Sequence, residues 1–125
     1  MTLLDTSVLI DSLSGPKRSA RALRAAIEQG ERLVVPSLVL YEWLRGPRLA
    51  SEITAQEALF PCENAITFGF REAALSAELY RSLKRARGRE IDLAIAACAI
   101  IRDASLWTLN VADFRDIRQL RLVAF

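Results

Sequence analysis

The chain has 125 residues, 52% apolar and 26% charged, with a net charge of +2. That size and balance suit one folded domain over residues 1–125, and five glycines and four prolines are too few for a disordered or fibrous chain. There is no histidine, which excludes Ser-His-Asp and Cys-His catalysis, imidazole bases and ordinary zinc sites.

In chain order, Thr2 to Leu4 reads as a short apolar strand, and Thr6 to Ser14 as a helix stopped by Gly15-Pro16. Arg18 to Gln29 carries Leu23 and Ile27 four apart and meets Gly30, a natural helix stop. Arg32 to Val35 is a second strand. Ser37 is placed to cap a helix over Leu38 to Arg45, broken by Gly46-Pro47. Ser51 to Phe60 reads as a helix with Thr54 and Glu57 in capping-box spacing. Ala65 to Thr67 is expected as a third strand, Arg71 to Arg87 as a long helix closed by Gly88, and Ile91 to Arg102 as an almost wholly apolar helix. Ser105 to Leu109 and Leu120 to Val123 complete five strands.

No apolar stretch approaches the ~18 residues that cross a bilayer. The opening MTLLDTSVLIDS has no basic leader and sets Asp5 within its apolar run, so a cytoplasmic location and no membrane partner are expected. Cys62 and Cys98 have no metal-ligand spacing and read as small apolar thiols.

Short strands alternating with helices favour a parallel sheet covered by helices, because parallel strands need crossover connections. Ligands of such sheets bind at the carboxyl ends of the strands. Four acids interrupt apolar surroundings: Asp5 directly after the first strand, Glu42 in LVLYEWL, Asp92 at the head of LAIAACAII, and Asp113 in LNVADF. Carboxylates in apolar settings need a partner. Without imidazole or thiolate beside them, the partner they suit is a hard cation, Mg²⁺ or Mn²⁺. Taken singly, Asp5, Asp92 and Asp113 also occupy positions that cap or open helices, and Glu42 has Arg45 as a neighbour for an ion pair.

Four segments, LLDTSVLID (3–11), VVPSLVLYEWLRG (34–46), IDLAIAACAI (91–100) and TLNVADF (108–114), come in an order and spacing that resembles the PIN domain. The likeness is greatest to small ribonuclease toxins of VapC type from type II toxin–antitoxin pairs. The resemblance implies an α/β three-layer sandwich with a five-stranded parallel sheet in the order 3-2-1-4-5. It places the acidic cluster on Asp5, Glu42, Asp92 and Asp113, with Ser7 or Thr6, Thr108 and Asn110 as accompanying hydroxyls and amide. The implied activity is Mg²⁺- or Mn²⁺-dependent endoribonuclease cleavage by metal-activated water. The implied partners are an RNA substrate, a cognate antitoxin and a second copy in a homodimer. Ser7 stands where many relatives carry Asn, and Glu90 adds an acid near Asp92 that competes with it for the cluster.

Charge distribution agrees with an RNA partner. Lys17, Arg18, Arg21 and Arg24 form one basic group, and Arg81, Lys84, Arg85, Arg87 and Arg89 place five cations and no acid in nine residues. The alternatives are a PIN-like interaction module without catalysis, or a PIN nuclease of RNA processing. A haloacid-dehalogenase phosphatase would need a second Asp where Ser7 stands.

Overall fold

The computed structural model describes residues 1–125. Four parallel strands form one sheet: β1 (Thr2–Leu4), β2 (Leu33–Val34), β3 (Ser105–Trp107) and β4 (Arg121–Val123), in the order β2-β1-β3-β4. Leu3 lies in register with Val34 on one side and Leu106 on the other. The order reverses at β1, so the crevice beyond its carboxyl end lies between β1 and β3, at the switch point of the sheet.

The expected five-stranded sheet is therefore corrected to four strands. The segment 65–67 contributes only an isolated parallel bridge, Pro36 with Ile66, outside β2. Two hydrogen bonds hold it, Ser37 N–H to the Ile66 carbonyl (2.8 Å) and Ile66 N–H to the Val35 carbonyl (3.0 Å). The chain enters α3 at Ser37, directly after Pro36, which limits the ladder to that bridge.

The six helices are α1 (Thr6–Leu13), α2 (Ala20–Glu28), α3 (Ser37–Arg45), α4 (Ala50–Leu59), α5 (Phe70–Ser82) and α6 (Glu90–Ile101). Several boundaries differ from expectation for local reasons. Pro36, not Ser37, takes the N-cap position of α3, and Ser37 is already helical. In α4 the reciprocal bond to the helix start comes from Glu52, which accepts from Leu49 N–H at 2.8 Å, while Thr54 donates back to the Ala50 carbonyl and Glu57 accepts from Cys62 N–H. Helix α5 ends at Ser82 rather than Arg87, where Leu83 turns extended (φ −92°, ψ 142°). Like charges four apart, such as Arg81 and Arg85, oppose its continuation.

Helix α6 is the centre of the core. Leu93 to Ala99 are all buried, and the helix packs against α5, α3 and β3. Its alanines let neighbouring backbones approach, while Leu93 and Ile95 each contribute about 1.5–3 kcal/mol by burial. Cys98 lies in this interior, and burial pushes its thiol up to about 11, which makes it unreactive. No helix is long and apolar enough to cross a membrane.

Candidate active site at the carboxyl edge of the sheet

Asp5 follows β1 and occupies the N-cap position of α1, yet its side chain makes no cap hydrogen bond. Its buried carboxylate turns instead to two hydroxyls. Ser7 Oγ donates to Asp5 Oδ2 at 2.9 Å and Thr108 Oγ1 donates to the same oxygen at 2.7 Å. Each hydroxyl also accepts from the loop after β3: Ser7 Oγ from Leu109 N–H and Thr108 Oγ1 from Asn110 N–H, both at 3.0 Å. The adjacent main chain continues the β1–β3 ladder, with Asp5 N–H on the Trp107 carbonyl at 2.9 Å. Asp5 is thus oriented both by its neighbour Ser7 and by Thr108 from the far end of the chain, and Oδ1 keeps no hydroxyl donor.

Glu42 projects from α3 and is half-buried. Thr6 Oγ1 donates to its Oε1, and Arg45 approaches Oε2 at 3.4 Å. The mid-helix acid is thereby tied to α1 one residue after Asp5. The hydroxyls divide their work: Ser7 and Thr108 serve Asp5, and Thr6 serves Glu42.

Asp92 sits in the first turn of α6. Burial pushes its carboxyl up to about 6, and the negative charges of Asp5, Asp113 and Glu42 push the same way against the opposing field of Arg89. Asp113 ends a short 3₁₀ turn, Val111–Asp113, and is exposed. Asn110 precedes this turn and its carbonyl accepts from Asp113 N–H at 3.0 Å, so its contacts are made by its main chain. The Glu90 carboxylate folds back onto Gly88 N–H at 3.2 Å, and Glu90 lines a separate cleft with Tyr80 and Leu93.

Arg89 and Asp116 were not legible as part of this region. The Arg89 guanidinium grips the Asp116 carboxylate through both nitrogens (2.9 and 2.7 Å) and donates to the Asp113 carbonyl at 2.6 Å and the Arg85 carbonyl at 2.9 Å. It ties the loop carrying Asp113 to the start of the helix carrying Asp92. The available signal was an Arg three before Asp92 and an Asp three after Asp113.

The side chains fit a divalent cation in donor type, all hard oxygen, and in charge, since Asp92 is desolvated and repelled by three other acids, with Arg89 opposing only in part. As the side chains stand, no group of three acids is arranged to hold a metal ion. Two carboxylate oxygens are engaged locally, Asp5 Oδ2 by hydroxyls and Glu42 Oε1 by Thr6.

A parallel sheet whose first strand runs directly into Asp5, with Asp92 in the field of Asp5, Asp113 and Glu42, defines an α/β protein with acids near the carboxyl edge of its sheet rather than a nucleotide-binding glycine loop. The match to the PIN domain family model extends over residues 2–120, and the chain belongs to that family. It is 37% identical over 121 residues to ribonuclease VapC19 of Mycobacterium tuberculosis, covering 91% of this chain and 92% of that protein. Among solved structures, a toxin–antitoxin complex from Klebsiella pneumoniae is similar with TM-score 0.74 and 26% identity, covering 96% of this chain and 95% of that one. DNA-bound VapBC from Salmonella typhimurium shares the fold with TM-score 0.79 at 20% identity, covering 98% and 96%.

Proposed function

We propose that this chain is a divalent-metal-dependent endoribonuclease and the toxin of a type II toxin–antitoxin pair, with residues 1–125 acting as one PIN domain. The observation that supports the reading is Asp5, buried at the end of β1 and held there by Ser7 and Thr108, with Asp92 in its field and in those of Asp113 and Glu42. Likeness to ribonuclease VapC19 along most of both chains supports the activity, and likeness to toxin–antitoxin complexes supports an antitoxin partner.

In this reading Asp5, Asp92 and Asp113 hold Mg²⁺ or Mn²⁺, with Glu42 bound directly or through water. When bound, the ion lowers the pKa of a water and neutralises charge on the phosphate. The rest falls to the protein. Ser7 and Thr108 fix the Asp5 carboxylate through Oδ2 and leave Oδ1 as its open acceptor. Thr6 and Arg45 hold Glu42 from opposite oxygens. Asn110 and Leu109 lock the Thr108 and Ser7 hydroxyls through main-chain N–H groups, so the orientation survives without the ion. Above pH ~6 Asp92 is ionised and competent to bind a cation. No side-chain nucleophile is required. A homodimer and an antitoxin would bury the apolar side chains exposed on and beside α3, Tyr41, Leu44 and Leu49 among them.

The local engagement of the acids is the observation that favours the second reading, a PIN-like module that binds without cleaving. Purified parent and Asp5→Asn chains, incubated with RNA and Mg²⁺ or EDTA and followed by mapping of RNA ends, separate the two. Cleavage should require the metal and fall at least ~100-fold in Asp5→Asn, in keeping with the several kcal/mol that metal catalysis supplies. Equal rates and identical ends from both chains would overturn the nuclease reading.

A further inference from the structure

Two clefts meet at Asp116. One, of about 500 Å³, is lined by Arg85, Arg89, Arg115, Ala112, Asp113 and Asp116. The other, of about 450 Å³, continues on the far side with Lys84 and Arg118. Both are in the range of ligand-sized clefts, roughly 300–1,000 Å³. Asp116 lines both clefts and is already neutralised by the two-pronged grip of Arg89. Lys84, Arg85, Arg115 and Arg118 are exposed and have no carboxylate partner. They come from two separate loops, one after α5 and one after the 3₁₀ turn; Arg85 and Arg115 line the cleft that holds Asp113, Lys84 and Arg118 line its neighbour, and the two clefts, joined at Asp116, make up one basic trough.

We propose that this trough is the track for one arm of the RNA backbone, with Lys84, Arg85, Arg115 and Arg118 binding successive phosphates on one side of the bond placed at Asp113. The inference rests on the nuclease reading and adds to it the side from which the strand enters. Unpaired guanidiniums pair well with phosphate. Ala112 is the one apolar residue lining the larger cleft. Of the apolar residues lining the other, Leu79 and Ile117 are buried in the core and Leu83 is half-buried, so a docked protein segment would find little seat for apolar anchors, whereas a polyanionic strand needs none.

The test measures binding of a fluorescein-labelled single-stranded RNA by anisotropy in EDTA at several KCl concentrations. The chains are the parent, Arg85→Ala/Arg115→Ala, Lys84→Ala/Arg118→Ala, and Arg32→Ala/Arg71→Ala, two exposed cations outside both basic groups, as an equal change of net charge elsewhere. Each trough variant should bind about tenfold more weakly near physiological salt, and its log–log salt slope should drop by about 1.4, near 0.7 for each phosphate that the variant no longer neutralises. The Arg32/Arg71 variant should change less than about twofold. Equal weakening in the trough and Arg32/Arg71 variants would overturn the track. So would a matching drop in affinity for fluorescein-labelled poly-glutamate, which would make the trough a surface for acidic protein segments. Mg²⁺-dependent cleavage measured alongside keeps the two proposals apart: a parent that cleaves while trough variants bind unchanged refutes the track alone. A parent that binds through the trough without cleaving refutes the nuclease alone.

Discussion

Thr108 shows how much one side chain carries in this fold. Its hydroxyl donates to a buried carboxylate and accepts a main-chain N–H two residues on, so a single oxygen joins β3, the loop beyond it and the end of β1. Replacing it with Val keeps the shape and removes both bonds. One buried carboxylate oxygen then loses its shorter hydroxyl bond and one amide its acceptor, a cost of about 1–3 kcal/mol. The expected result for Thr108→Val is a stability lower by that amount, read from the urea midpoint, and slower RNA cleavage. Thr108→Ser should retain most of both. If Val is as stable as Thr, the hydroxyl does not organise the site. Arg89 works at the same scale, since one guanidinium fixes the Asp113 loop against α6. Its importance was hidden in the sequence because a cation among four others in residues 81–89 looks like solvated surface. Only the fold brings Asp116 to it from 27 positions away.

Among the elements, those specified by local chemistry were readable and those specified by partners were not. Thr2–Leu4 falls where expected, and α2 and α6 begin and end within two residues of expectation, because apolar spacing and Gly30 mark them. The third strand reduced to a bridge at Ile66, since whether a three-residue apolar segment forms a ladder depends on what it meets, and it meets a chain that turns into α3 at Ser37. The positions of the four acids were legible because each breaks an apolar run. Their hydrogen-bonding was not, because Asp5 at a helix N-cap reads as a cap until Thr108 is seen beside it. Helix α6 permits a direct test of packing. Ala96 and Ala97 are fully buried at the centre of the core, so no direction remains for a larger side chain. Ala97→Leu should lower stability by at least about 1–3 kcal/mol through overpacking, read as a shift of the urea midpoint. A neutral outcome would mean that α6 is not held as closely as its burial implies.

At the scale of the whole molecule, the proposed metal site and stability pull against each other at Asp92. Its carboxyl is raised to about 6 in the folded chain, against ~3.9 when unfolded. The folded state therefore binds more protons than the unfolded state between these values, and stability falls as pH rises from about 4 through about 6. Above that window the full penalty is present. The shift alone would correspond to about 3 kcal/mol, and solvent reaching this half-buried group reduces it to roughly 1 kcal/mol. Asp92→Asn removes the charge, so in EDTA at pH 7.5 the variant should be more stable than the parent by about that amount, with the difference vanishing near pH 4. Divalent metal should reverse the order. A ligand that binds only the folded state at a hundred times its Kd adds ~2.7 kcal/mol, and the parent should gain most of it while the variant gains little. Urea unfolding of both chains at pH 4 and 7.5, with EDTA or Mn²⁺, measures all four corners. A parent that is the more stable of the two in EDTA at pH 7.5 would show that the acids do not repel one another across the crevice. Equal stabilisation of both chains by Mn²⁺ would place the ion away from Asp92.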